Sequence, residues 1–112
     1  MTHSACPIDR LSVRGFTVPT DGPEADGTIA WDRTHLAVVE VEAGDAVGLG
    51  YTYGSPVVPR LIADMFGPLL SGRDALAIPA RAADMAAAVR NIGRPGVAAT
   101  AISAVDCALW DL

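Results

Sequence analysis

VVEVEAGDAVGLGYTYG, residues 38–54, decides the fold. With Leu36-Ala37 before it, Val39 and Val41 point one way and Glu40 and Glu42 the other. That is the period of a strand with one face in a core and one in water. Ala43-Gly44-Asp45 makes a short turn and Val47 to Tyr53 returns, so residues 36–53 read as an antiparallel hairpin. Working outward, Ile8 to Val18 alternates more loosely, Leu11, Val13 and Gly15 against Arg10, Ser12 and Arg14, and reads as a first strand. Between the two lies PTDGPEADGTIAWD, Pro19 to Asp32, with the breakers Asp21-Gly22-Pro23 and Asp26-Gly27. It has no period and is expected to be a long loop, which in a compact domain tends to carry function.

Beyond Gly54 the period becomes helical. Leu61, Met65 and Leu69 form one stripe, begun near Pro56 or Pro59 and disturbed at Gly67-Pro68. Ala82, Met85, Val89 and Ile92 form a second, closed by Gly93 and Pro95. VAATAISAVDCALWDL, Val97 to Leu112, forms a third through Ala98, Ile102, Val105, Leu109 and Leu112. No Gly, Asn or basic last turn stops this helix. Its end is therefore expected to fray, and its stripe to meet residues outside the chain, as a domain over 1–112 cut within its last helix. Three strands and then three helices make an α+β fold with the helices segregated from the sheet.

Composition narrows the function classes. Half of the 112 residues are apolar (51%) and only 19% are charged, which excludes a disordered chain. Net charge is −5, and all eight basic residues are arginine. An acidic chain without a basic run does not read as a nucleic-acid binder. Without lysine, Schiff-base and amine-base chemistry is absent. Cys6 and Cys107 are isolated thiols that fit a reducing, cytoplasmic setting. Ser4-Ala5-Cys6 follows no charged and apolar leader, so it is not read as a lipoprotein site. No apolar run approaches the roughly 20 residues that span a bilayer.

No side-chain set assembles a reaction on its own. GLGYTYG, Gly48 to Gly54, invites a dinucleotide reading, but its spacing is GxGxxxG and no second parallel strand follows. Glycines that ease a strand into a turn explain it better. Glu40 and Glu42 read as a wet strand face rather than an acid–base pair. Asp21, Glu24 and Asp26 match no calcium-loop spacing and read as solvated acids. His3 and His35 have no partner at a metal or triad spacing, and His35 reads as a surface residue. Asp106, between Val105 and Cys107, is expected to make a buried hydrogen bond to backbone or Arg.

Three segments taken together, VPTDGPEADGTIAWD (18–32), VVEVEAGDAVGLGYTYG (38–54) and RNIGRPGVAATAISAVDCALWDL (90–112), carry a resemblance. They resemble the amino-terminal capping domain of the enolase superfamily, in its mandelate racemase and muconate lactonizing branch. The resemblance covers nearly the whole chain. It implies a three-stranded antiparallel meander followed by helices, with the catalytic β/α barrel absent from these residues. It also implies two lid loops, Thr20 to Trp31 and Gly48 to Tyr53, that shape the substrate pocket. The implied specificity residues are Thr20, Asp21, Glu24, Thr28 and Trp31, with Tyr51 and Tyr53, of which only one is expected to face the pocket. The implied parent uses Mg²⁺ held by barrel carboxylates to remove the proton beside a substrate carboxylate. It would be an acid-sugar dehydratase first, with a racemase or cycloisomerase next. This chain itself is expected to bind no cofactor, to hold no catalytic or metal-binding residue and to be inactive alone. Its expected partners are a barrel, in cis or in trans, a small carboxylate substrate and, through the apolar last helix, a second copy. The alternative implied is a stand-alone interaction module.

Overall fold

The computed structural model describes residues 5–112, and the readings of His3 and of the segment before Ala5 lie outside them. Strands β1 (Ile8–Ala25), β2 (Ala30–Ala43) and β3 (Ala46–Tyr53) form one antiparallel sheet in the order β1-β2-β3. Helices follow: α1 (Val58–Leu61), a π-helical turn (Ile62–Phe66), α2 (Gly67–Leu70), α3 (Ile78–Ala88) and α4 (Val97–Asp111). The first three run on as one helical segment, so the pattern is the expected three strands and three helical segments.

The hairpin closes through Gly44-Asp45, with Ala43 paired to Ala46. Gly44 has φ of +60°, the first central position of a II′ turn, which suits the right-handed twist of the flanking strands. On β2, Ala37, Val39, Val41 and Ala43 are buried, as their alternation requires. Pro68 has no N–H to give to the preceding turn. The ladder widens there, and Gly67 donates to Ile62 five residues back. The fully buried stripe here is Val58, Ile62, Phe66 and Leu70, one residue on from the expected Leu61, Met65 and Leu69, which are only partly buried against the core.

Three further expectations change. Pro19 to Asp32 is mostly strand, because β1 and β2 run on as a two-stranded ribbon beyond the body of the sheet. Backbone pairing needs no apolar alternation, and both sides of the ribbon are exposed, so no period marks it. Ile92 is 60% exposed, because α3 ends at Ala88 and the chain turns through Gly93, whose N–H bonds to the Val89 carbonyl at 2.9 Å.

The third change concerns α4. Its stripe is not a free surface: Ala98, Val105 and Leu109 are buried with Ala101, Ala104 and Ala108 against the sheet. Two strand residues make this possible. A Cβ on Gly48 would overlap the Ala108 carbonyl oxygen, and one on Gly50 the Ala104 carbonyl oxygen. The GLG segment therefore sits mid-strand and admits a helix backbone of alanines at near-contact distance. It neither eases a turn nor leaves room for a phosphate. The end of α4 is also tied down rather than frayed: Leu112 N–H bonds to Ala108 O at 3.1 Å, and the Asp111 carboxylate accepts from Leu49 N–H at 2.8 Å. Asp106 is half-buried and makes no hydrogen bond or ion pair among the described residues, so it is not the buried bonded acid expected. No helix among the described residues is long and apolar enough to cross a membrane.

Candidate functional site

The ribbon is built from two local devices. At its tip, the Asp26 carboxylate accepts from Thr28 N–H (2.7 Å), Ile29 N–H (2.9 Å) and the Thr28 hydroxyl (3.0 Å), closing the turn with the side chain of one residue. Along β1, the register jumps from Pro19↔Arg33 to Glu24↔Trp31, so Thr20 to Pro23 bulge out of the ladder. Thr20 closes this bulge on itself, its hydroxyl donating to the Gly22 carbonyl at 2.6 Å.

The tip is pH-sensitive by construction. The backbone bonds from Thr28 and Ile29, then the Thr28 hydroxyl, hold the Asp26 carboxyl below the usual carboxylate range. A depressed pKa means the turn is supported above the ordinary carboxylate value and loses that support as pH falls through the lowered one. The amide shifts of Thr28 and Ile29 are therefore expected to hold until well into acid and then move together. In Asp26→Ala they should lie at the acid-form positions at every pH. Neutral-pH shifts that survive Asp26→Ala would show that the side chain does not close the turn.

Of the seven residues expected to shape a pocket, Thr20, Asp21, Glu24, Thr28 and Trp31 lie along this ribbon. Thr28 is committed to Asp26, and Trp31 is 39% exposed opposite Glu24. Tyr51 and Tyr53 lie elsewhere. Residues two apart in a strand share a face, so they do not divide between pocket and core. Both sit on the face opposite Gly48 and Gly50, 59% and 60% exposed, with ring centroids 6.1 Å apart at 82°. Tyr53 pairs with Leu36, and Trp31 is five residues further along β2, about 17 Å away. By alternation Trp31 continues the opposite side, that of Ala37 and Val39. The ribbon residues and the tyrosines are not brought together within this chain.

What the fold does bring together is a cleft of about 480 Å³ at the base of the ribbon. It lies between Gly15, Thr17 and His35 on the helix side of the ribbon and Ser55, Pro59 and Arg60 at the start of α1. Packing here is close, since a Cβ on Gly15 would stand 2.9 Å from the Pro59 ring. Thr17 Oγ1 and His35 Nδ1 are 3.0 Å apart, so His35 is a cleft residue with a partner rather than a plain surface histidine. Ser55 Oγ accepts from Val57 N–H at 3.3 Å. Arg60 is bound to Asp64 one helical turn on, at 2.5 Å, and this contact raises the Arg60 pKa. A smaller hollow shares Thr17 and is edged by Asp32 and Arg33, themselves paired at 2.9 Å. Thr17 and His35 stand 18 residues apart and meet only through strand register, so no spacing in the sequence announces them. Among the described residues, no three His, Cys, Asp or Glu side chains converge as metal ligands would.

A three-stranded meander carrying a long ribbon, with helices packed on one face, defines an amino-terminal domain of the enolase type. Residues 15–112 match the sequence profile of the mandelate racemase / muconate lactonizing enzyme N-terminal domain, and the chain belongs to that family. Enzymes of this family have a second, barrel domain. The chain is 45% identical to a 3,6-anhydro-alpha-L-galactonate cycloisomerase of Streptomyces coelicolor, over 94% of this chain and 31% of that protein. In structure it resembles a mandelate racemase/muconate lactonizing enzyme-like protein of Rubrobacter xylanophilus (TM-score 0.89, 52% identity, 93% of this chain and 29% of that one). It equally resembles a racemase of Streptomyces coelicolor with bound magnesium (TM-score 0.89, 36% identity, 94% and 31%). The chain thus spans about 30% of the length of the relatives it matches.

Proposed function

We propose that this domain, residues 1–112, is the specificity lid of a magnesium-dependent enzyme that removes the proton beside the carboxylate of a sugar acid. The observation that carries the reading is the 45% identity, over nearly the whole chain, to a sugar-acid cycloisomerase. That relationship favours cycloisomerisation over dehydration within the range the family resemblance allows. The ribbon and the cleft at its base would stand over the mouth of a barrel, in cis or in trans, orienting substrate and excluding water. The carboxylates here do not fit magnesium as a ligand set: Asp26, Asp32 and Asp64 are each engaged by a turn or an arginine, and among the described residues no three His, Cys, Asp or Glu side chains converge. In this reading the chain positions and covers, and the proton transfer belongs to the barrel. Burial of the α4 stripe within the chain removes the support for dimerisation through that helix.

A chimera tests this. The matching part of the Streptomyces cycloisomerase is replaced by this chain, and turnover of 3,6-anhydro-L-galactonate with magnesium is followed. The chimera is expected to be active and the isolated chain inactive. Turnover by the isolated chain would contradict its inert role, and a folded chimera without turnover would contradict the lid reading.

A further inference from the structure

We propose that Gly15 and Pro59 form the stop against which the ribbon rests, so that the bulk at these two positions sets the ribbon's angle to the body of the domain. They act through the ribbon rather than on a reacting atom, as positioning residues. Their effect on turnover rests on the lid reading; their effect on the angle does not.

Backbone conformation does not call for a glycine at position 15. Its φ lies outside the left-handed region that favours glycine, and a glycine inside a strand weakens it. What position 15 requires is room. Leu11 and Val13 pack against the core from β1, and Gly15 is the next residue on that side. A Cβ there would stand 2.9 Å from Pro59 Cγ and 3.6 Å from Pro59 Cβ. Pro59 sits in the first turn of α1 with its ring tied to the helix backbone, so only a change of ring pucker can yield. Its neighbour Val58 is buried, which holds α1 in place.

The contact lies where the body of the sheet ends. Gly15 pairs with Ala37, and the last three-stranded row is Phe16, Leu36 and Tyr53. Beyond that row the cleft separates the ribbon from α1, and Thr17 to Pro19 and Trp31 to Arg33 are exposed. A small displacement at Gly15 is therefore magnified outward. Val13 and Val39 face one another and pack in the core, which makes them the pivot. Gly15 is two residues out from Val13, and Ala30, at the tip, is nine from Val39. A lift of about 0.5 Å at Gly15 turns the ribbon by about 5° and carries the tip about 2 Å away from the helix side. Misplacement of about 1 Å, even from a distant substitution, can cost on the order of 100-fold in rate.

The test reads the angle first. Residual dipolar couplings of the ribbon amides are compared with those of β2, β3 and α4 in the isotope-labelled chain. The ribbon is expected to turn by about 5° in Gly15→Ala and by about 10° or more in Gly15→Val. Pro59→Ala, added to Gly15→Val, is expected to bring it most of the way back, because it removes the ring that the new side chain meets. The α4 amide shifts should stay in place throughout, which reports an intact fold. In the chimera, Gly15→Val is expected to lower kcat/KM about tenfold or more, and Pro59→Ala to restore most of it. An unturned ribbon in Gly15→Val, or a turned one that Pro59→Ala does not bring back, would overturn the proposal and leave the lid reading untouched. If Gly15→Val does not fold, Gly15→Ala with and without Pro59→Ala gives the same two outcomes at the smaller angle. A turned ribbon with unchanged kcat/KM would overturn the link from angle to turnover, and the couplings, which involve no barrel, would keep that failure distinct from a failure of the chimera itself.

Discussion

Replacing Gly50 with alanine is expected to destabilise the chain by about 3 kcal/mol, the upper end of the range for overpacked interiors. The added Cβ would stand 2.0 Å from the Ala104 carbonyl oxygen and 2.6 Å from the Ala108 amide nitrogen. Both are helix backbone, so no rotamer change can make room. Either α4 lifts from β3 or β3 bends away from β2, and each movement opens the layer formed by Val39, Val41, Ala104 and Val105. For a chain of this size the loss corresponds to a fall in Tm of more than about 10 °C, measured by thermal circular dichroism. Gly22→Ala is the control, since nothing lies within 4 Å of its Cβ position, and its change should stay within about 0.5 kcal/mol. A Gly50→Ala variant as stable as the parent would mean that the helix does not rest on the strand.

The second large effect is on activity. Residues 20–32 replaced by Asn-Gly would join Pro19 directly to Arg33, which already face one another across the ribbon. Such a two-residue hairpin suits the strand twist. In the chimera this shortened ribbon is expected to lower kcat/KM by on the order of 100-fold or more, because loss of a positioning lid costs orientation as well as water exclusion. Stability should hardly move: the ribbon residues are exposed, and the strand residues of the core lie at Ile8 and between Ala37 and Ala43. Unchanged kcat/KM in a folded, shortened chimera would remove the ribbon from the function altogether. A fall in Tm comparable to that of Gly50→Ala would instead make it part of the scaffold.

The two experiments probe different layers, and their contrast follows from where side chains meet. Gly50 lies inside the domain, where volume is already filled. The ribbon stands outside it, with its turn held by Asp26 and its bulge by Thr20, both local bonds. A segment stabilised only by its own turn and ladder is free to answer to something placed against it. This agrees with a lid, and with the cleft at its base remaining accessible.

Legibility in the sequence followed the same division. The alternation of Val39 and Val41 with Glu40 and Glu42, the Gly44 turn and the helical stripe through Val105 and Leu109 were readable because each is a local period with a single physical cause. The ribbon was not, because a strand wet on both sides leaves no alternation to read. Tyr51 and Tyr53 share one face by the strand period of two, so they do not divide between pocket and core. His35 reads from the sequence as a surface residue because its partner, Thr17, is near only through register.

By itself the sequence determined the order of three strands and three helical segments, the family and the buried face of β2, since these depend on neighbours along the chain and on apolar periodicity. Only the tertiary structure decided what the glycines of the GLG segment are for, where the last helix lays its stripe, and which polar residues share a cleft. Those are contacts between segments tens of residues apart, and they are set by packing volume and strand register, neither of which leaves a pattern in local spacing.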